Sequence, residues 1–211
     1  MRVFERLAAR RTYTDDERMV LDQVRRLCAE EIAPRAAALD ASGDFPWANI
    51  RAINALGLNG LFVPEAYGGA PTSYRLYLAV VEMISAACAS TGIVYATTFH
   101  GLKPLIDTGT EEQRARLLPR IAEGGLGALA ITEPSAGSDA TGMKTRFTED
   151  GDCIVVNGGK IFISNGDVAD LLLIFGKWDG IADPKAAISV LVMEKGSPGL
   201  QVVRLEEKMG H

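Results

Sequence analysis

The amino-acid sequence predicts an α+β protein: an N-terminal all-helical bundle followed by an antiparallel β-barrel or sandwich. Three observations carry that expectation. Helical periodicity and N-capping signals dominate as far as Gly124-Gly125. After Leu126 the apolar period changes to two, in short runs at fairly regular spacing. Asp150-Gly151 and Asn157-Gly158 supply turn residues that tolerate positive φ between those runs. The expected division therefore gives residues 1–125 to the helical domain and 126–211 to the β-domain.

Each element has a local cause. Thr14-Asp15-Asp16-Glu17 is a capping box, in which threonine hydroxyl and glutamate satisfy each other's orphan backbone donors. Behind it Val20, Leu21, Val24, Leu27, Cys28 and Ile32 keep an apolar face, and Pro34 is expected to kink or punctuate the helix. A second short helix is expected over 46–56, with Pro46 in its first turn and Gly57 just past its end. Pro64-Glu65-Ala66-Tyr67-Gly68-Gly69 reads as a loop. Residues 77–99 are apolar enough to suggest a membrane span. Glu82 inside the run and Ser90-Thr91-Gly92 near its middle favour two buried helices instead, over 74–87 and 92–105. Thr110-Glu111-Glu112-Gln113 opens a further helix to about Ala122. Strands are expected over 126–131, 144–148, 153–156, 160–164, 171–177, 188–193 and 200–205.

Composition narrows the chemistry. A hydrophobic content of 47% and a charged content of 23% in 211 residues suit a globular chain with a substantial core. A net charge of −5 without Lys/Arg clusters argues against nucleic acid as partner. Arg2, Arg6, Arg10 and Arg11 make a small basic N-terminus that Glu5 interrupts, read as a solvated first turn rather than a targeting segment. Cys28, Cys88 and Cys153 lack metal-ligand spacing and read as reduced, half-buried thiols of an intracellular protein. With only His100 and His211, neither a histidine metal site nor a Ser-His-Asp triad is expected.

The most specific signal is Ile131-Thr132-Glu133-Pro134-Ser135-Ala136-Gly137-Ser138-Asp139, a polar turn directly after an apolar strand. A second polar cluster, Lys160-Ile161-Phe162-Ile163-Ser164-Asn165-Gly166, follows about two dozen residues later. Either turn alone reads as a well-capped strand-to-loop connection. Together they offer hydroxyls on Thr132, Ser138 and Ser164, close backbone approach at Gly137, and an aromatic surface on Phe162. That set suits a flat heterocycle gripped by its polar edge, such as an isoalloxazine, whose electronics are tuned by donors to its pyrimidine rim. Glu133 and Asp139 are expected to shape their own loop. Glu65 is read as a solvated loop carboxylate, Glu82 as a buried or interface structural partner, and His100 as a packed, hydrogen-bonded helix residue.

Further segments, among them Ile32-Ala33-Pro34-Arg35, the stretch 57–69, Gly109-Thr110-Glu111-Glu112-Gln113 and Asn157-Gly158-Gly159-Lys160, complete a pattern running over essentially the whole chain. It resembles the acyl-CoA dehydrogenases. The resemblance implies FAD lined by Leu129, Ile131, Thr132, Gly137 and Ser138 on one side and by Phe162 and Ser164 on the other. It also sets Ser138 beside the acyl-CoA thioester, and Glu65 and Tyr67 close to the substrate channel. Phe162 stands where the family more often has tryptophan and Ser164 where it often has threonine, replacements that keep the chemistry type. The implied reaction is α,β-dehydrogenation of an acyl-CoA to the trans-2-enoyl-CoA, in fatty acid metabolism, with electrons passing to an electron-transferring flavoprotein.

In that family a glutamate base comes from a C-terminal four-helix bundle. The resemblance puts it beyond His211, so no catalytic residue is nominated here and the β-domain is expected to be incomplete at its C-terminal end. It implies a fragment inactive by itself, a homodimer or homotetramer when complete, and a cytoplasmic setting, or the mitochondrial matrix in a eukaryote. Two alternatives stay open: a short non-catalytic flavoprotein subunit completed by a partner chain, and an acyl-CoA oxidase or flavin monooxygenase of the same fold.

Overall fold

The computed structural model describes residues 12–70 and 72–208. The basic N-terminal cluster at Arg2, Arg6, Arg10 and Arg11, and His211, lie outside the described residues. Both predicted capping boxes form. Thr14 accepts from the Glu17 N–H and opens α1 (Asp15–Leu27), while Thr110 accepts from the Gln113 N–H and opens α6 (Glu111–Ala122). Pro34 does not end the first helix. A π-helical turn, Cys28–Ile32, precedes it, and the chain continues as α2 (Ala33–Ser42). The wider turn lets the Ala33 N–H bond back to Cys28 O, spacing the backbone around a proline that has no N–H to give. Then follow α3 (Trp47–Ala55), 3₁₀ turns at Leu58–Phe62 and Glu65–Tyr67, α4 (Tyr74–Ala87) and α5 (Ala89–Thr108).

The break between α4 and α5 falls at Cys88, extended at φ −158°, and not at Ser90-Thr91-Gly92. Gly92 sits inside α5, where a Cβ would come within 2.1 Å of Ser85 Oγ, so its role is close helix contact and not helix breaking. Gly101 does the same toward the sheet: a Cβ there would lie 2.6 Å from the Ala128 backbone nitrogen. Helix α5 thereby rests directly on the first strand.

Among the described residues five strands form: β1 (Gly127–Ala130), β2 (Arg146–Asp150), β3 (Cys153–Asn157), β4 (Leu171–Trp178) and β5 (Ile188–Glu194). The sheet is mixed and open, not a closed antiparallel barrel or sandwich. β5 runs antiparallel along one edge of β4, from Leu171↔Glu194 to Lys177↔Ile188. The other edge is shared by two parallel partners in succession, β1 at Leu171–Ile174 and β2 at Lys177–Trp178. Side-chain alternation is the same for both strand directions, so the period of two could not reveal this. β4 is buried through most of its length, as a central strand must be. β2 and β3 form a hairpin over Gly151-Asp152, with Gly151 at φ +59°.

Two predicted strands do not form. Residues 160–164 include Phe162 at φ +56°, a left-handed residue that no strand accommodates. Residues 200–205 are irregular, with Val202, Val203 and Leu205 exposed. One apolar cluster joins the helices to the sheet, from Val24, Ile53, Val80 and Leu118 to Leu171 and Leu173. The junction is pinned by polar bonds as well. Asn54 and Asn59 donate to the carbonyls of Gly124 and Gly125, and Asp170 accepts from the Leu126 N–H.

Other residues also depart from expectation. Glu82 is exposed in this chain rather than buried, and His100 is exposed with its ring centroid 6.0 Å from that of Phe99. Cys28 and Cys88 are buried and Cys153 is exposed, where all three were expected half-buried. Glu65, by contrast, is exposed as expected of a solvated loop carboxylate, and Tyr67 donates to Glu111 at 2.8 Å. Among the described residues no helix is long and apolar enough to cross a membrane.

Candidate functional site

The sheet topology explains where the two polar segments meet. β1 and β2 occupy successive stretches of the same β4 edge, so the chain between them, residues 131–145, must leave the sheet and return to it. The hairpin then brings residues 158–166 back beside that excursion. The Ile161 N–H donates to Thr132 O at 2.9 Å, and Lys160 Nζ donates to Ile131 O at 2.9 Å. The two segments predicted to act together are therefore bonded side by side.

The first segment tightens into a turn through reciprocal bonds, Glu133 N–H to Ala136 O at 3.0 Å and Ala136 N–H to Glu133 O at 3.1 Å. Ala136 is buried beneath it while Gly137 and Ser138 stand exposed. Ile131, Thr132, Leu129 and Ser164 are half-buried. Among the described residues, the hydroxyls of Thr132, Ser138 and Ser164 have no hydrogen-bond partner within the protein, nor have the N–H groups of Gly137 and Ser138. A Cβ at Gly137 would meet nothing within 4 Å, so the space above it is open. Phe162 is 60% exposed although it is a large aromatic, and its backbone is held at φ +56°.

Asp139 shapes its own loop as expected, accepting from the Thr141 N–H at 3.0 Å and the Thr141 hydroxyl at 2.5 Å. Those bonds, the hydroxyl's foremost, hold its carboxyl below the usual carboxylate range. Glu133 does more than its expected loop-shaping. It is only 4% exposed and accepts from the Lys144 N–H at 2.5 Å, the Thr145 N–H at 3.0 Å, the Thr145 hydroxyl at 2.5 Å and Lys160 Nζ at 2.7 Å. Burial by itself would raise its pKa; Lys160, the Thr145 hydroxyl and the two N–H donors outweigh that and lower it to about 2. So bound, it is no candidate for a proton-abstracting base.

Sequence reasoning also missed Asn165. It is buried in the left-handed region at φ +62°, and its amide donates to Val94 O at 3.0 Å and Gly127 O at 3.2 Å. It thus ties the second polar segment to α5 and β1 together. Asparagine's tolerance of positive φ was the available signal. Lys177, inside the apolar β4 run, is 8% exposed and donates to Thr141 O, anchoring the 3₁₀ turn Ala140–Gly142 that leads back to β2. Two clefts lie away from these loops. One, of about 290 Å³, is lined by Phe62, Tyr74, Tyr77, Phe99, Lys103 and neighbours in the helical part. The other, of about 240 Å³, lies between α5, α6 and the β4–β5 ladder.

A helical layer packed on an open mixed sheet carries two donor-bearing loops at one strand edge. The model of the acyl-CoA dehydrogenase N-terminal domain matches residues 14–125 and that of the acyl-CoA dehydrogenase middle domain matches residues 128–211. The chain belongs to the acyl-CoA dehydrogenase family. It is 41% identical over 199 residues to the cyclohex-1-ene-1-carbonyl-CoA dehydrogenase of Geobacter metallireducens, covering 93% of this chain and 52% of that protein. Among solved structures it is similar to a chain described under "Electron transferring flavoprotein of Acidaminococcus fermentans: Towards a mechanism of flavin-based electron bifurcation", with TM-score 0.89 and 34% identity, covering 93% of this chain and 52% of that one. It is also similar to the acyl-CoA dehydrogenase complexed with FAD from Bacillus anthracis, with TM-score 0.82 and 29% identity, covering 93% of this chain and 34% of that one. The chain spans about half the length of the curated relatives it matches.

Proposed function

We propose that this chain forms the flavin-facing part of an FAD-dependent acyl-CoA dehydrogenase, an oxidoreductase that converts an acyl-CoA thioester to its trans-2-enoyl-CoA. One observation carries the reading: two loops, bonded to each other at Thr132–Ile161, present donors that no protein group takes up. That donor set fits a flavin's acceptor rim. When bound, FAD supplies the acceptor for the hydride that leaves the substrate's β-carbon. Thr132, Gly137 and Ser138 hold the cofactor from one loop, with Leu129 and Ile131 beside them, and Phe162 and Ser164 hold it from the other.

Each assignment has a physical basis. Thr132 and Ser164 are half-buried residues, so a bound cofactor would shield the bonds their hydroxyls donate, where such a bond is worth more than in open water. Gly137 leaves room for the cofactor's approach, and the exposed Phe162 ring loses unfavourable contact with water once a flat partner covers it. Ser138 also lies beside the acyl thioester in this reading. No carboxylate among the described residues is assigned as the base. The division into a helical domain, 1–125, and a flavin-binding domain, 126–211, is part of the same proposal. So are a homodimeric or homotetrameric assembly, an electron-transferring flavoprotein as acceptor, and a cytoplasmic or mitochondrial-matrix location.

Reconstitution with FAD tests the reading. The purified protein should take up FAD and quench its fluorescence, and Thr132→Ala should weaken that uptake by about tenfold, the loss of one buried donor. Acyl-CoA thioesters added anaerobically should perturb the spectrum of the bound flavin without bleaching it, since no described residue is assigned as the base. A folded protein that leaves FAD fluorescence unchanged would overturn the proposal.

A further inference from the structure

Glu133 and Lys160 occupy unusual positions for opposite charges. Their side chains are only 3% and 9% exposed, and they meet at 2.7 Å. A buried ion pair is poor evidence of stability, because desolvation takes back most of the attraction, so its retention calls for another reason. The partners supply one. Glu133 belongs to the first loop, and its carboxylate also binds the backbone of Lys144 and both the backbone and hydroxyl of Thr145, where the chain returns toward β2. Lys160 opens the second loop, and its ammonium also binds Ile131 O, the residue before Thr132. Gly158, two residues before Lys160, lies so close to Thr145 that a Cβ would fall 2.4 Å from its hydroxyl. Three separate segments thus converge on one carboxylate and one ammonium.

We propose that the Glu133–Lys160 pair is a positioning clamp that fixes the spacing between the two flavin-facing loops. It touches neither cofactor nor substrate. It acts through Thr132, which adjoins both Ile131 and Glu133, and through Phe162, two residues beyond Lys160. The inference rests on the flavin reading and deepens it. Sliding the second loop against the first would break the Lys160–Ile131 bond and the Ile161–Thr132 bond at once, so the clamp allows one register only. Donors fixed in place need no reorganisation when the cofactor arrives, which favours tight binding and a defined tuning of its electronics.

The test compares the unmodified protein with Lys160→Met and with the double variant Glu133→Gln/Lys160→Met, which leaves no buried charge unpaired. Thr145→Val is a milder variant, removing one bond to Glu133 while leaving the ion pair. FAD affinity is read by fluorescence quenching. The visible spectrum and reduction potential of the bound flavin are then read at saturating FAD. Leu21→Ala, in α1 and 7% exposed, serves as a control that lowers stability away from the loops. The clamp predicts at least about a tenfold loss of affinity in both Lys160 variants. It also predicts a shifted spectrum and potential at saturation, the same shift at smaller amplitude in Thr145→Val, and none in Leu21→Ala. Folded variants whose saturated flavin matches that of the unmodified protein, or a shift of equal size in Leu21→Ala, would overturn the clamp and leave the flavin reading standing. No FAD uptake by the unmodified protein would overturn both.

Discussion

At the level of single residues, Glu133 shows how a carboxylate can be kept charged in a dry place. Four donors surround it, and its pKa near 2 lies well below the 4.5 of a free glutamate. Because the folded value is depressed, the stability it contributes is fully present above pH 4.5 and is lost as pH falls toward 2. Glu133→Gln should therefore unfold more easily at pH 7, yet lose less stability than the parent between pH 4.5 and 2. Urea titrations across that range check it, and parallel pH profiles for the two proteins would refute the depressed carboxyl. Phe162 is the converse case. It accepts both a left-handed backbone and an exposed ring, each of which costs free energy, and such costs concentrate at functional sites.

At the level of elements, the contact between α5 and β1 decides where Thr132 emerges. Gly101 sets that contact, and two opposed effects meet there. In an exposed helix, Gly→Ala stabilises by about 1 kcal/mol through propensity. Here the new methyl would lie 2.6 Å from Ala128 N and 2.8 Å from Gly127 C, backbone atoms that cannot swing aside. Overpacking of that kind costs about 1–3 kcal/mol. Gly101→Ala should accordingly destabilise, lower the urea midpoint, and weaken FAD uptake by displacing the end of β1; a raised midpoint would contradict the close contact. Much at this level was legible beforehand. The capping boxes at Thr14 and Thr110, the turn at Gly151, and helices α4 and α6 follow from local rules that the sequence carries openly. What was not legible depends on partners far along the chain. Strand direction against β4, the π-helical turn before Pro34, and the left-handed backbone inside 160–166 are set by packing, and an alternation such as Ile161 and Ile163 mimics a strand. The two polar loops were visible as composition. The Glu133–Lys160 link and the Asn165 pin were not, because nothing local says which distant donor a buried side chain will meet.

At the level of the whole molecule, the helical and sheet parts share one apolar cluster, and that has a thermodynamic consequence. Leu171 and Leu173 of β4 are fully buried in the same cluster as Val24, Ile53 and Leu118 of the helices. Glu194, at the end of β5, pairs with Arg116 and Arg120 of α6 at 2.5 Å each, but its side chain is 38% exposed and the pairing adds only about 1 kcal/mol. Apolar burial, far larger in sum, therefore binds the two parts, and one cooperative transition should result. The chain has two tryptophans, Trp47 in α3 and Trp178 in β4, so Trp47→Phe leaves a reporter in the sheet alone. Its fluorescence transition in urea should coincide with the far-ultraviolet ellipticity, which the helices dominate. Adding Leu173→Ala should move both probes together by about 3 kcal/mol, the usual cost of emptying a fully buried leucine site. If ellipticity held while fluorescence shifted, the sheet would be unfolding by itself. The Asn165–Val94 bond, which ties the second polar loop to α5, would then be too weak to couple the loops' sheet to the helices.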